Sequence, residues 1–418
     1  MSKQNDSTFD AVILGGGVAG LSTAMQLSLR GRRVLVLERA ELGSGSTGRA
    51  AGLLGQLRST RAATTMLIDG LAIVKDLEAR TRARIFHQTG SLRLAQTPER
   101  AAEIRDHVAM GKAIGFDVDH LSRDEVQTLL PYMRVDDLLD ACYCPTDGHL
   151  QPAELAAAFT RVGREHGVVL ATHTPAERVV IAGGRVTGVR AGGETFFAPV
   201  VVNATGPWSY LVAELAETRL PTAAIGHYYL TTRPTPDVII DRTSPAVRDR
   251  ENRIYSRPES DGLIVGIYEA TPVIYDMEKL PADFDMSAMH VARDNLNVAM
   301  LIDAAGKRFG FINERTPMTV TTGIMTFTPD GNPFCGRVPD IEGLYHCTGF
   351  CGHGIVQSPT IGVIMAELIL DGKTRYDIEQ IEADRYFDTP AFQQRANVKQ
   401  ACYETYANYY GKVATTKE

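Results

Sequence analysis

Three glycines near the start of the chain, Gly15, Gly17 and Gly20, have the GxGxxG spacing of a phosphate-binding turn. The first glycine permits a tight turn, the second lets the backbone approach a pyrophosphate, and the third lets a helix pack closely on a strand. Glu38 follows 18 residues after Gly20, where a carboxylate binds ribose hydroxyls and repels a 2′-phosphate. These residues predict a dinucleotide site but leave NAD and FAD both open.

The segments around the turn predict the elements that position it. Ala11–Leu14 is a short apolar run, typical of a buried parallel strand, and residues 21–27 have helical apolar spacing. Gly31 is expected to end that helix, and Val34–Leu37 predicts a second strand with Glu38 at its carboxyl end. The order strand, turn, helix, strand places the phosphates at the helix N-terminus.

Two later segments repeat the pattern of a strand that ends in a glycine turn. Residues 178–203 predict a glycine-turned meander and an apolar strand, followed by the turn 204–209. Residues 343–348 predict another strand, which leads into the turn 349–354 and a helix over about 360–370. We expect the three turns to converge on one ligand.

Composition narrows the class of protein. The 418 residues favour two lobes, and 44% hydrophobic with 22% charged residues is typical of a folded, soluble chain. A net charge of −7 argues against nucleic-acid binding. No apolar run approaches the ~20 residues of a membrane helix and the start lacks signal-peptide features, so a cytoplasmic location without a membrane span is expected. Six cysteines in this spacing favour buried thiols over a disulfide scaffold or a metal site.

Several motifs in fixed order carry a family resemblance. They are GGGVAG at 15–20, Glu38, GSGSTGR at 43–49, Asp147-Gly148, ATGPWS at 204–209, TPDG at 328–331 and GFCGHG at 349–354. Together they resemble the FAD-dependent amine oxidoreductases of the D-amino-acid oxidase superfamily, which includes glycine oxidases, sarcosine oxidases and the amine-oxidising part of dimethylglycine and sarcosine dehydrogenases. The resemblance covers residues 9 to about 376 and selects FAD as the cofactor.

The resemblance implies an α/β fold with a Rossmann-type FAD-binding domain and a discontinuous, sheet-based α+β substrate domain. The FAD-binding domain is expected from 1–85, 146–215 and 322–375, and the substrate domain from 86–145 and 216–321. Residues 376–418 form a C-terminal tail that packs on the flavin lobe or on a partner subunit.

The implied cofactor contacts lie in the three glycine turns, in the 43–49 loop and beside Glu38. They are Gly15, Gly17, Val18, Ala19, Gly20, Glu38, Arg39, Ser46, Thr47, Gly48, Arg49, Gly206, Trp208, Gly352, His353, Gly354 and Ile355. Arg49 stands where dimethylglycine dehydrogenases carry the histidine that bonds to the flavin, and Gly323 stands where monomeric sarcosine oxidases carry the bonding cysteine. We therefore expect noncovalent FAD.

Two motifs favour the dimethylglycine and sarcosine dehydrogenase branch and supply the candidate catalytic residues. His227 begins a His-x-Tyr-x-x-Thr motif, and Tyr268 lies in Gly-x-Tyr-Glu. Oxidation of a carbon beside nitrogen needs an uncharged amine, whereas a free aliphatic amine is mostly cationic at pH 7. A histidine or tyrosine within hydrogen-bond reach would accept the proton or orient the lone pair.

The expected substrate contacts are Tyr255, Arg257 and Arg49, with Arg61 a further candidate for a carboxylate. The resulting hypothesis is oxidation of a small secondary or tertiary amine, an N-alkylated amino acid, by hydride transfer to flavin N5 and hydrolysis of the imine. The electron acceptor is O2 or an electron-transfer partner. The alternatives are a glycine or D-amino-acid oxidoreductase, and an FAD-binding subunit of a heteromeric enzyme; a homo-oligomer is also open.

Overall fold

The computed structural model describes residues 7–235, 237–292 and 295–411. Its α-helices are α1 (Val18–Ser28), α2 (Arg61–Thr81), α3 (Pro98–Ala113), α4 (Arg123–Leu129), α5 (Pro152–Glu165), α6 (Ser209–Glu214), α7 (Leu296–Arg308), α8 (Gly354–Asp371) and α9 (Arg395–Ala407). Its first strands are β1 (Ala11–Leu14), β2 (Val34–Leu37), β3 (Leu53–Leu54), β4 (Phe86–Gln88), β5 (Ser91–Ala95), β6 (Asp119–Leu121), β7 (Asp140–Cys144), β8 (Gly148–Leu150), β9 (Val169–Ala171), β10 (Ala176–Ala182) and β11 (Arg185–Ala191). The later strands are β12 (Glu194–Phe197), β13 (Val201–Asn203), β14 (Ala223–Thr232), β15 (Ala246–Asp249), β16 (Ile254–Glu259), β17 (Gly262–Ile267), β18 (Ile274–Tyr275), β19 (Met318–Phe327), β20 (Phe334–Arg337) and β21 (Leu344–Thr348).

A six-stranded sheet forms the centre of one lobe, in the order β20-β21-β13-β1-β2-β9. All its pairings are parallel except β20 with β21. Alternate residues of β1 and β2 pack on the helical layer that includes α8, and the others pack on the antiparallel β10-β11-β12 meander. Burial on both faces explains why these strands are continuous apolar runs.

Helix α8 begins earlier than the sequence predicted, at Gly354 instead of about residue 360. Pro359 lies inside it and cannot donate to the Ile355 carbonyl, but the Ser358 hydroxyl donates to that carbonyl at 3.2 Å. In the described ranges α8 is the one helix long and apolar enough to cross a bilayer, and 61% of its apolar window is buried inside the protein. It packs against α1 and α2 as a core helix.

The second large sheet runs β18-β14-β17-β16-β15-β5-β7-β6, with β19 paired along the whole of β14. One face of the sheet packs against α7, with Tyr228 and Leu230 of β14 in that core. The opposite face carries His227 and packs against α9. Because side chains alternate along a strand, the β14 sequence divides into a structural face and a face that bounds a cavity.

The tail contacts both lobes. Tyr386 packs edge-on against Phe334 of β20, while α9 lies on β14 and β19. The sequence had left open whether this segment covers the flavin lobe. Strand β19 pairs only within the second sheet although the expected boundary at 322 falls inside it, and the domain limits stay a prediction. All six cysteines are buried free thiols, as predicted.

Candidate active site

One cavity of about 570 Å³ lies between the two large sheets. It is bounded by the carboxyl ends of β1, β2 and β13, the loop 43–49, the N-terminus of α8 and one face of the second sheet. The sequence-predicted residues that line it are Gly15, Gly17, Val18, Ala19, Glu38, Arg39, Ser46, Thr47, Arg49, Gly206, Trp208, His227, Tyr255, Tyr268, Gly352, His353, Gly354 and Ile355. Gly20, Gly48 and Arg257 do not line it.

The first glycine turn brings two strand ends close together. Gly15 has φ +106°, and a Cβ there would lie 2.5 Å from the Ala204 carbonyl oxygen at the end of β13. A Cβ at Gly20 would lie 2.0 Å from the Gly15 carbonyl oxygen, so this glycine acts by letting α1 pack on β1. Gly48 is a packing position too, because its Cβ would meet the Gly43 carbonyl oxygen at 2.9 Å.

Polar side chains hold the rim of this turn in place. The Glu38 carboxylate accepts from the Gly16 amide at 2.7 Å and from the Ala40 amide at 2.8 Å. Thr47 Oγ1 accepts from the Val18 amide at 3.2 Å at the start of α1. The carboxylate and the first amides of α1 therefore face the same end of the cavity, as a ribose and a pyrophosphate require.

The second glycine turn adds an aromatic surface at the same end. The Arg39 guanidinium lies 4.6 Å from the centre of the Trp208 ring and donates to the Ala282 carbonyl at 2.5 Å. Ser46 donates to the Ile324 carbonyl at 2.6 Å and ties the 43–49 loop to β19. The stacked pair thus forms a fixed wall of the cavity near Glu38.

The third glycine turn lies under the second sheet. Gly352 has φ +85°, and a Cβ there would lie 3.0 Å from Tyr268 Oη. The next residue, His353, caps α8 and contacts Tyr409 Oη through Nδ1 at 3.1 Å. Burial holds the pKa of His353 well below its usual range. The imidazole is therefore uncharged where it caps the N-terminus of α8 at the cavity.

These features fit FAD. Two helix N-termini, of α1 and α8, open into one cavity, and glycines of all three turns line it. Anions and carbonyl oxygens bind favourably at such helix ends. The α1 end, with Glu38, would hold the pyrophosphate and ribose, and the α8 end, with the 43–49 loop, would hold the ring system.

His227 lies on the cavity wall between two tyrosine hydroxyls. Its Nε2 lies 2.7 Å from Tyr255 Oη, and its Nδ1 lies 2.7 Å from Tyr406 Oη. Burial lowers the pKa of His227 to about 3. The imidazole is therefore uncharged at neutral pH, with one nitrogen available to accept a proton and the other to donate one.

Tyr268, the other predicted catalytic residue, sits in a cluster of aromatic rings. Its ring centroid is 5.2 Å from that of His227, 4.9 Å from that of Tyr409 and 4.5 Å from that of Tyr410. Burial raises the pKa of the Tyr268 phenol well above its usual value. Tyr268 thus offers the cavity a neutral aromatic surface, and rings of this kind attract alkylated ammonium groups.

Of the three arginines predicted as carboxylate ligands, the structure places only Arg49 in the cavity lining. Arg257 is buried outside the cavity lining, where it donates to the Ala51 and Pro258 carbonyls and pairs with Glu259 at 2.6 Å. Arg49 lines the cavity, but its Nη2 donates to the Met286 carbonyl at 2.9 Å and to that of Ser287. Arg61 is exposed at the start of α2. Because Arg257 is buried outside the cavity lining and pairs with Glu259, it is not in position to bind a substrate in the cavity.

Arg248 is a cavity-lining arginine that the sequence predictions did not include. It lies directly opposite Tyr255 in the antiparallel β15–β16 pair, lines the cavity, and has no ion-pair partner in the part of the chain that the structure describes. Arg58 lies close by, with Nη2 buried and without a hydrogen-bond partner among the described residues. Burial, followed by repulsion from Arg248, lowers the pKa of Arg58 to about 9. The two neighbouring guanidinium groups concentrate positive charge beside the cavity.

Sequence reasoning also missed the residues behind His227. Tyr406 comes from α9, and Glu269 is the last residue of the Gly-x-Tyr-Glu motif, already visible in the sequence but given no role. Tyr410, three residues after the end of α9, also lines the cavity. The one sequence feature that could have pointed to these tyrosines is the tyrosine-rich composition of the tail.

The fold and the cavity are those of a flavin-dependent oxidoreductase. The family described as FAD dependent oxidoreductase (DAO) matches residues 10–368, and the chain belongs to this family. The predicted family, α/β fold class, enzyme class and FAD cofactor are thereby confirmed.

Individual relatives lie within the same group. The chain is 28% identical to mitochondrial sarcosine dehydrogenase of Homo sapiens over 99% of its own length and 45% of the relative's. It is 29% identical to mitochondrial dimethylglycine dehydrogenase of Rattus norvegicus over 90% of its length and 45% of the relative's. Glycine oxidase from Geobacillus kaustophilus has a solved structure that superimposes with a TM-score of 0.76 at 25% identity, covering 91% of this chain and 99% of that one. The chain thus spans about half the length of the dehydrogenases.

The cavity wall leads us to expect noncovalent FAD. A Cβ at Gly323 would lie 2.8 Å from the Arg49 Cβ, so the two positions where the resemblance places covalent attachment are neighbours, and neither carries a histidine or cysteine. Burial raises the pKa of the nearby Cys351 to about 12, which leaves little thiolate. Acid precipitation should release all the FAD into the supernatant. A yellow pellet would contradict this expectation.

Proposed function

We propose that this protein oxidises the C–N bond of a small N-alkylated amino acid, in the manner of sarcosine or dimethylglycine. The observation that carries the proposal is the substrate end of the cavity, where Arg248, an uncharged His227 and the aromatic cluster around Tyr268 face the same space. These groups complement a carboxylate, an amine and an N-alkyl group, respectively.

The carboxylate is assigned to Arg248. Its partner on the neighbouring strand, Tyr255, reaches His227, so a carboxylate at Arg248 places the amine beside Tyr255. The positive charge of the neighbouring Arg58 adds to the attraction of the carboxylate. A carboxylate bound there relieves the repulsion between the two guanidinium groups, and hydrogen bonds between charged groups of this kind are among the stronger ones in proteins.

The amine is assigned to the space between Tyr255 and Tyr268. Aromatic faces accommodate N-methyl groups and also attract the substrate while its nitrogen is still cationic. Once the amine is buried beside the uncharged His227, its charged form is disfavoured. Bound FAD supplies the two-electron acceptor for the adjacent carbon. The residues of this chain hold that carbon in place, remove the amine proton and keep bulk water away.

Glycine is a second candidate substrate, favoured by the match along 99% of the glycine oxidase structure. It has the carboxylate that Arg248 requires but no N-alkyl group for the aromatic cluster. Product analysis distinguishes the two, because oxidation of an N-methyl group followed by hydrolysis yields formaldehyde, whereas oxidation of glycine yields glyoxylate and ammonia.

The test is turnover with a panel of amines and an artificial electron acceptor. We expect sarcosine and dimethylglycine to react with release of formaldehyde, and dimethylamine, which lacks a carboxylate, to react much more slowly. Preferred turnover of glycine or D-alanine would replace the proposal by its second candidate. Equal turnover of dimethylamine would exclude the carboxylate role of Arg248.

A further inference from the structure

A chain of hydrogen bonds leads from the cavity into the protein interior. Tyr255 Oη contacts His227 Nε2 at 2.7 Å, and His227 Nδ1 contacts Tyr406 Oη at 2.7 Å. Tyr406 in turn donates to the Glu269 carboxylate. Glu269 is fully buried, and its other oxygen, Oε1, has no hydrogen-bond partner among the described residues.

The direction of the chain follows from the number of protons each group carries. The single proton of Tyr406 goes to Glu269, so its oxygen accepts from His227 Nδ1–H. His227 Nε2 is then unprotonated and accepts from the Tyr255 hydroxyl. The Tyr255 oxygen keeps a lone pair free to accept a proton, and Tyr255 lines the cavity. Every link therefore points from the amine site toward the carboxylate.

We propose that Glu269 is the terminal proton acceptor of this reaction, reached through Tyr255, His227 and Tyr406. The inference rests on the proposed amine substrate. The N–H bond of the substrate ammonium breaks and its proton goes to Tyr255 Oη, while the Tyr255 proton moves to His227 Nε2. The proton on His227 Nδ1 moves to Tyr406 Oη, and the Tyr406 proton moves to Glu269. The amine becomes neutral, the carboxylate becomes a carboxylic acid, and no electrons are transferred.

The surroundings of Glu269 determine the pH range in which its carboxylate can accept a proton. Burial raises its pKa to about 8, opposed by the hydrogen bond from Tyr406, by the backbone amides of Glu269 and Tyr228, and by the charge of Arg253. Arg253 is itself occupied by the Tyr268 and Ala407 carbonyls, and His227 is uncharged. The carboxyl is neutral below about pH 8 and accepts protons above it. Burying a carboxylic acid with an unpartnered oxygen lowers the stability of the fold. Such a cost is expected for a residue with a catalytic role.

The test is the pH profile of flavin reduction by saturating sarcosine, measured anaerobically. In the wild type the limiting rate should rise through about pH 8, where Glu269 ionises. In Glu269→Gln and in Tyr406→Phe the rise should move toward the ordinary amine pKa near ~10. At about pH 8.5 the variants should be about 10- to 100-fold slower, because a shift of about two pKa units leaves only a small fraction of the amine uncharged at that pH.

Two variants on α9, the helix that carries Tyr406, serve as controls. Glu404→Gln removes an exposed carboxylate of α9, and Tyr403→Phe removes a hydroxyl of a half-buried tyrosine one turn away. Both should keep the wild-type profile. A rate lowered equally at every pH in Glu269→Gln would assign this residue a structural role and overturn the relay. An absence of reduction in the wild type would instead overturn the proposed substrate, so the two failures are distinguishable.

Discussion

Replacing Arg248 by methionine is expected to lower kcat/KM for sarcosine by roughly 30- to 1000-fold, or about 2–4 kcal/mol, the usual cost of removing one partner of a buried charge pair. Methionine keeps the apolar stem but removes the cation opposite Tyr255. The effect should fall mainly on KM and on the alignment of the reacting carbon. It is measured by steady-state kinetics with an artificial acceptor.

An arginine on the surface provides the matched control. Arg242 is exposed and pairs only with the exposed Asp261 among the described residues, so Arg242→Met should leave kcat/KM within about twofold, as for most surface substitutions. For a substrate without a carboxylate, Arg248→Met should also change little. An equal loss for sarcosine and dimethylamine would show that Arg248 supports the fold of the site and does not bind the carboxylate.

The second large effect is expected for His227→Ala. The substitution breaks both hydrogen bonds that link Tyr255 to Tyr406, and general base catalysis typically contributes about 10²–10⁴-fold to a rate. We expect the limiting rate of flavin reduction to fall by about 10²-fold or more. FAD content should be retained, because His227 lies on the second sheet, away from the phosphate end.

Stopped-flow mixing under anaerobic conditions measures that rate, and the flavin absorbance of the purified variant measures FAD content. His120→Ala is a suitable control, since His120 is on the far edge strand β6 and partly exposed. An unchanged rate in His227→Ala with good substrates would remove this histidine from the mechanism. A loss of FAD together with rate would point to a packing role.

The cofactor end of the site could be predicted from sequence because its signals are local. Gly15, Gly17 and Glu38 lie within one strand-turn-helix-strand unit, so their spacing along the chain fixes their spacing in three dimensions. His227 and Tyr268 were found through the resemblance alone, since a histidine or tyrosine on a strand carries no distinguishing pattern.

The positions of Arg248 and Tyr406 could not be predicted, because they depend on strand pairing and on the packing of a tail helix. Arg248 reaches the cavity because β15 pairs with β16 in a register that places it opposite Tyr255. Arg257, two residues along β16, lies beyond the cavity and is held by backbone carbonyls. Tyr406 arrives from a tail helix far away in sequence. None of these contacts has a local signature.

The most direct test of the proposed amine oxidation is anaerobic mixing of the purified yellow protein with an N-methyl amino acid, followed at the long-wavelength absorption band of oxidised flavin. We expect sarcosine or dimethylglycine to bleach this band. The rate of recovery in air then separates O2 from an electron-transfer partner as acceptor. If the protein holds acid-releasable FAD and no N-methyl, N-carboxymethyl or D-amino acid bleaches it, the proposed amine oxidation is contradicted.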